Sequence, residues 1–130
     1  MSRPVFIGQK EYFPSISRVE FEGRDSDNPL AFKAYDPERL VMGKRMEEHL
    51  RFAVCYWHTF CSGGADPFGS ETRNHEWLVG TDLLAISEQK MDAAFELISK
   101  LNVPYYCFHD IDMSAESDSL SRRKATFKQL

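Results

Sequence analysis

The chain has 130 residues and a formal net charge of −4, with 42% hydrophobic and 28% charged residues. This composition predicts a folded globular domain and excludes a disordered chain, and the acidic balance argues against nucleic acid, whose phosphates require clustered Lys and Arg. No apolar run approaches the length of about 18 residues that a membrane span needs, and the first residues lack a signal-peptide pattern, so we expect a soluble, cytoplasmic protein.

The cysteines are Cys55, Cys61 and Cys107. They are odd in number, lie in apolar or aromatic surroundings and show neither CxxC nor zinc-ligand spacing. They are therefore predicted to be buried free thiols in a reducing compartment.

Residues 1–36 are predicted to form an extended arm with turns, in which Val19 and Phe21 alternate with charged residues as in a short half-exposed strand. Such an arm cannot bury its aromatic side chains on itself and must lie on something larger. The segment Asp36-Pro37-Glu38 predicts a helix start, and residues 44–50 predict helix, although Gly43 weakens the middle.

Residues 52–60 are apolar almost throughout, so periodicity alone does not separate buried helix from buried strand. Their aromatic and β-branched content and the following Ser62-Gly63-Gly64 turn favour a strand. Residues 61–80 then predict a long, glycine-containing loop of the kind that is usually functional.

Thr81–Leu101 is the clearest predicted helix, with Thr81 as the N-cap. Its apolar stripe consists of Leu84, Met91, Phe95 and Ile98, and its polar positions off the stripe are Glu88, Gln89, Asp92 and Lys100. Asn102 is predicted to adopt the left-handed C-cap conformation, and Pro104 blocks continuation.

A short aromatic strand is predicted at residues 105–108, followed by a polar loop at 114–121 and a helix over 120–130. The basic cluster at 122–124 is too short for a nucleic-acid patch and predicts a solvated helix face. The order of elements is βαβ, which demands a parallel sheet with more strands than this chain supplies. We divide the chain into an arm and helix at 1–51 and β/α units at 52–130.

The strongest local signal for chemistry is Phe108-His109-Asp110-Ile111-Asp112, directly after the second strand. A carboxylate close to a histidine can fix the imidazole tautomer, and Asp112 can fold back to reach His109, whereas Asp110 points away. By spacing alone, a histidine that merely closes a strand, or a metal site, remains open.

A second cluster combines Trp57 with Phe68 in the glycine-rich loop. Aromatic rings beside a strand end can form an apolar wall for the CH face of a sugar. The alternative is that Trp57 belongs to the core and Phe68 plugs the loop.

Together, the ordered blocks of the chain resemble the long-form (class II) xylose isomerases from about Tyr12 to Leu120. The blocks are residues 28–32, 41–53, 56–61, 64–69 and 103–112. The resemblance implies an α/β fold, the TIM (β/α)8 barrel, of which only the N-terminal arm and first two β/α units are present. It also implies an aldose–ketose isomerase that interconverts D-xylose and D-xylulose, often accepts D-glucose too, and assembles as a homotetramer.

By this resemblance, His109 and Asp112 are the catalytic ring-opening pair, and Trp57 and Phe68 bind substrate. Phe68 resembles a loop phenylalanine that reaches a neighbouring subunit's site. The family uses a pair of divalent metal ions, Mg, Mn or Co, for a hydride shift, and we expect no metal ligand in this chain. The chain alone is therefore expected to be inactive. The alternatives are a non-catalytic truncated remnant, or a fragment of another sugar isomerase on the same barrel.

Overall fold

The structure is a computed structural model that describes residues 4–113 together with the isolated positions 121, 124 and 128. Apart from those three positions, the loop, basic cluster and helix predicted for residues 114–130 lie outside the described residues. In the described part, no helix is long and apolar enough to cross a membrane. The elements are β1 (Leu40–Val41), β2 (Lys44–Arg45), α1 (Met46–His49), β3 (Ala53–Cys55), α2 (Leu83–Lys100), β4 (Tyr105–Cys107) and α3 (Asp110–Met113).

The helix predicted to start at Asp36 is wrong, because this segment forms turns and a β-hairpin. β1 and β2 pair antiparallel, with Val41 opposite Lys44. Met42 and Gly43 connect them with φ values of 50° and 79°, and a two-residue hairpin turn of this kind needs positive φ at both positions. Gly43 supplies that freedom, and the helix that was predicted from residue 44 is confined to α1.

The sheet that positions the candidate site consists of β3 and β4, which pair parallel as the βαβ order predicts. Ala53 lies opposite Tyr105, and Cys55 lies opposite Cys107. On the other face of the same strands, the Tyr106 ring meets Phe95 of α2 at 5.1 Å. Side chains alternate along a strand, so α2 covers one face of this sheet and leaves the other open.

The strand predicted over residues 52–60 is too long, since its second half is a π-helical turn, Trp57–Cys61. Side chains stabilise this turn: the Thr59 hydroxyl donates to the Cys55 carbonyl at 2.9 Å, and the Trp77 indole N–H donates to the Phe60 carbonyl at 2.8 Å. The turn places Tyr56 and Phe60 in the core. Their burial against α2 outweighs the strand propensity of the segment.

The predicted helix is confirmed as α2, capped by Asp82, whose carboxylate accepts the Leu84 N–H at 3.0 Å, and not by Thr81. Asn102 is left-handed with φ 55°, as predicted. The polar position Lys100 is buried and not solvated. The arm covers it: Lys100 Nζ donates to Glu96, Glu11 and the Phe13 carbonyl.

The prediction of buried thiols fails for Cys107, which is exposed because β4 lies at the open face of the sheet; Cys55 and Cys61 are half-buried. In the arm, the strand predicted around Val19 and Phe21 is reduced to one bridge between Phe21 and Phe32. The long loop at 61–80 contains a tight turn closed by Asp66 and Gly69 and a short 3₁₀ turn, Glu76–Leu78.

Candidate functional site

The structure brings His109 and Asp112 together directly after β4. His109 Nδ1 lies 3.1 Å from Asp112 Oδ2, and the same oxygen accepts the His109 backbone N–H at 2.7 Å. These contacts form because α3 turns the chain back, so that the Asp112 N–H donates to the His109 carbonyl at 3.0 Å. A carboxylate can only accept, so Nδ1 carries the proton and Nε2 is left for another partner.

The two side chains of this pair differ in exposure. The Asp112 side chain is 8% exposed and the His109 side chain 59%. The carboxylate is therefore fixed inside the fold, and the imidazole it orients faces outward. Asp110 is exposed, and its carboxylate accepts the N–H of Ile111.

Trp57 lies beside this pair. Its ring centroid is 4.3 Å from that of His109, with the planes tilted by 45°. The contact exists because β3 and β4 are neighbours in the sheet, and both residues follow their strand ends. The aromatic surface of Trp57 and the outward imidazole thus border the same open region.

Phe68 is not brought to the pair. It lies at the tip of the Asp66–Gly69 turn and is 96% exposed. The turn is held by the Asp66 carboxylate, which accepts the Phe68 N–H at 2.8 Å. No ring contact of Phe68 occurs within residues 4–113, so its ring points away from the fold described here.

Sequence reasoning missed a buried lysine of α2, Lys90, whose ammonium lies 6.0 Å from the centroid of the Tyr56 ring. Lys90 is 9% exposed and Tyr56 is fully buried. Burial raises the pKa of the Tyr56 phenol far above its usual range, which keeps it protonated. Lys90 lies on α2, one residue before the predicted stripe position Met91. The sequence signal for its burial is that Ser87 and Ala94, the small residues three positions before and four positions after it, lie on the same helix face.

The described residues do not fit a metal site. Within residues 4–113, no group of three or more His, Cys, Asp or Glu side chains is close enough to hold a metal ion. Asp112 Oδ2 already accepts two hydrogen bonds from His109. We therefore assign no metal-dependent step to the residues described here.

Curated relatives match the chain over its whole length, although no family model matches it. It is 59% identical over 130 residues to xylose isomerase 2 of Xanthomonas campestris pv. campestris (strain 8004), a match that covers 100% of this chain and 29% of that protein. The xylose isomerase of Xanthomonas oryzae pv. oryzae (strain MAFF 311018) is 57% identical with the same coverage. Xylose isomerase 1 of Xanthomonas axonopodis pv. citri (strain 306) is 56% identical over 126 residues, which are 97% of this chain and 29% of that protein.

Identity at this level along the full chain relates it to isomerases. More particularly, the relatives that it matches over 97–100% of its length are named xylose isomerase. It spans 29% of the length of the curated relatives it matches.

Proposed function

We propose that this chain supplies the sugar-ring-opening part of a xylose isomerase, which converts D-xylose to D-xylulose. The observation that carries the proposal is the outward-facing imidazole of His109, fixed by buried Asp112 beside an aromatic ring. Relatives named xylose isomerase at 56–59% identity support the same assignment.

Opening a pyranose ring requires a proton to leave O1 while C1–O5 breaks, C1=O1 forms and O5 gains a proton. Asp112 accepts from Nδ1, so Nε2 of His109 is the atom that takes the proton from O1 and then donates it to the ring oxygen O5. The carboxylate also stabilises positive charge on the imidazole while the proton is held there.

The remaining residue roles are part of this proposal. The Trp57 ring offers an apolar wall to the CH face of the sugar. The exposed ring of Phe68 enters a neighbouring subunit's site in a homotetramer. D-glucose is a second substrate, and the protein acts in the cytoplasm.

The architecture proposed for the whole protein is a TIM barrel in which β3, α2 and β4 begin the ring of strands. Catalytic groups of such barrels lie at the carboxyl ends of strands, where Trp57 and His109 are found here. Two divalent metal ions, Mg, Mn or Co, supply Lewis acidity for the hydride shift in the whole protein.

A chimaera tests the function. This chain replaces the matching 130 residues of the Xanthomonas campestris protein, of which they are 29%, and conversion of D-xylose is assayed with Mg²⁺. We expect the chimaera to isomerise D-xylose and the 130-residue chain alone to be inactive. An inactive but folded chimaera would contradict the proposal, as would isomerase activity of the chain alone.

His109→Asn in the chimaera tests the ring-opening role. General acid–base catalysis is typically worth at least about 100-fold, so kcat for D-xylose should fall by about that factor. D-glyceraldehyde cannot close a five- or six-membered ring, so its turnover should be nearly unchanged. His49→Asn is the matched control, because His49 is exposed and, among the residues that the structure describes, bonds only the Val41 carbonyl of the hairpin. Equal losses for both sugars would refute the ring-opening role.

A further inference from the structure

The π-helical turn Trp57–Cys61 decides where the Trp57 indole lies. Among the described residues, the rings that Trp57 contacts are those of His58, at 5.4 Å, and His109, at 4.3 Å. Both histidines are exposed, and Trp57 itself is half-buried. The orientation of the indole therefore depends on the backbone of the turn more than on core packing around the ring.

Such a turn needs hydrogen-bond partners from outside itself. The π-helix is rare and occurs mostly as single turns, frequently at functional sites. The carbonyl groups at the end of a helix have no partner within it, and leaving a buried carbonyl without a partner is costly. Here the carbonyls of Phe60 and of the C-cap residue Ser62 are bonded by side chains of the loop that follows.

Two aromatic side chains of that loop bind these carbonyls. The Trp77 indole N–H donates to the Phe60 carbonyl at 2.8 Å in a buried position. His75 Nε2 lies 3.0 Å from the Ser62 carbonyl, which can only accept, so Nε2 donates. The two rings stack on each other, with centroids 4.5 Å apart and planes tilted by 16°. We call His75 and Trp77 the loop clamp.

The loop clamp is itself anchored. Trp77 is 9% exposed, and its ring lies 5.9 Å from that of Tyr12 in the arm. The residues just before the clamp hold the same end of the turn, because the backbone N–H groups of Thr72 and Arg73 donate to the Gly63 carbonyl at 3.0 and 2.9 Å. The clamp thus connects the turn to the arm and to the core.

We infer that His75 and Trp77 are positioning residues, which hold the π-helical turn so that the Trp57 indole lies against the His109 imidazole. The contacts between His109 and Asp112 are made within the segment that follows β4 and involve no atom of the loop clamp. Loss of the clamp should therefore displace the aromatic wall and leave the oriented imidazole in place. The inference rests on the proposed function for the use of that wall, and adds the residues that place it.

NMR of the chain measures the ring contact directly. Trp77→Phe removes the indole N–H and keeps an aromatic ring in the core. The chain has two tryptophans, so Trp57 is then the only indole. Nuclear Overhauser effects between the Trp57 and His109 ring protons should be present in the wild type and lost in Trp77→Phe. Tyr12→Leu is the matched control, because it removes a ring that packs edge-on against Trp77 and keeps the indole donor, so the ring contact should persist.

His75 provides a second pair of variants. His75→Gln retains a donor for the Ser62 carbonyl and should keep the contact between Trp57 and His109. His75→Phe retains a stacking ring but has no donor, so it should lose that contact. Ring contacts that survive in either Trp77→Phe or His75→Phe would overturn the inference. Their loss in Tyr12→Leu would overturn it as well, because the contact would then follow stability alone. If Trp77→Phe does not fold, the His75 pair decides: equal contacts in the two variants overturn the inference.

Kinetics of the chimaera separate this inference from the proposed function. A displaced wall weakens sugar binding without altering proton transfer, so Trp77→Phe should raise KM for D-xylose about fivefold and change kcat by less than about twofold. A lower kcat with an unchanged KM would contradict the inference. Lost ring contacts with both constants unchanged would refute the sugar-wall role of Trp57, and a nonselective loss in His109→Asn would refute ring opening. Ring contacts that persist refute only the loop clamp.

Discussion

The position of one proton on His109 decides what this site can do. The Asp112 carboxylate accepts both the backbone N–H and the ring Nδ1 of His109, at 2.7 and 3.1 Å. The first contact fixes where the carboxylate stands, and the second selects the tautomer. In water, neutral imidazole has no partner that enforces this choice, so the chemistry of Nε2 depends on a single buried side chain.

Asp112→Ala should release this tautomer, because it removes the oxygen that accepts from Nδ1. Asp112→Asn is the matched control: the His109 backbone N–H donates to the same position and should keep the amide oxygen there, so Nδ1 retains its proton. The form protonated at Nδ1 should therefore fall in Asp112→Ala and persist in Asp112→Asn. Nitrogen-15 NMR of the imidazole in the chain measures the two forms. An unchanged tautomer in Asp112→Ala would show that Asp112 does not select it.

Local spacing was enough to predict the contact between His109 and Asp112, because three residues after a strand end allow one turn back. The burial of Lys90 could not be predicted in this way. Lys90 lies on α2, and only the packing of α2 on the π-helical turn brings its ammonium over the Tyr56 ring. Lysine side chains are seldom buried, so a lysine in the sequence predicts an exposed side chain.

Among the elements, α2 is unusual in having no exposed residue after Leu83. One side packs on the sheet and the other is covered by the arm. Glu96 is the attachment point of the arm, since its carboxylate accepts the backbone N–H groups of Tyr12 and Phe13 at 2.7 and 2.9 Å and pairs with Lys100 at 2.7 Å. The arm is thereby attached to α2 by charge-assisted hydrogen bonds to a buried carboxylate.

Glu96→Gln should lower the free energy of unfolding by about 3 kcal/mol, because it leaves the buried Lys100 charge poorly compensated. Urea denaturation of the chain measures this loss. Glu76→Gln is the matched control: Lys10 and Glu76 are also 2.7 Å apart, but their side chains are 58% and 71% exposed. Solvent screening predicts no measurable change there. Similar losses in the two variants would contradict the buried network.

The same variant predicts a pH dependence. Burial works against the charge of Glu96, but hydrogen bonds from Lys100, Tyr12 and Phe13 outweigh it and hold its pKa below the usual value of 4.5. Its pKa is lower in the folded than in the unfolded chain, so its contribution is complete above 4.5 and is lost as the pH falls through the folded value. The stability difference between the wild type and Glu96→Gln should therefore shrink below that pH. If the difference in the free energy of unfolding between the wild type and Glu96→Gln grew on acidification, the prediction would be contradicted.

The elements were predicted best where one periodicity dominates. The helix α2 and the aromatic β4 follow simple patterns, although Ile98 is the only buried member of the predicted stripe of α2. The hairpin and the π-helical turn depend instead on individual residues. Gly43 can either weaken a helix or close a hairpin, and its φ of 79° belongs to the second. Tyr56 and Phe60 suit a strand by propensity, yet four residues apart in a helical turn they reach the same core.

At the scale of the whole molecule, the sheet of β3 and β4 has one face that nothing in the described part covers. We define this uncovered face by the paired residues Ala53 with Tyr105 and Cys55 with Cys107. Tyr105 is 47% exposed, and Cys107 is exposed as well. Parallel sheets are normally covered on both faces, and two strands do not form a stable sheet alone. The face is thus suited to be the inside of a larger barrel.

Tyr105→Lys should therefore have opposite consequences in the chain alone and in the chimaera. In the chain the lysine reaches solvent, so the free energy of unfolding should change by no more than about 0.5 kcal/mol. In the chimaera the same side chain would place an unpaired ammonium inside the proposed barrel, and the thermal midpoint or the soluble yield should fall sharply. Leu40→Lys is the control, since Leu40 is 71% exposed on the hairpin and should tolerate the change in both proteins. A chimaera that accepts Tyr105→Lys as readily as Leu40→Lys would show that this face stays open, and the barrel proposal would then fail.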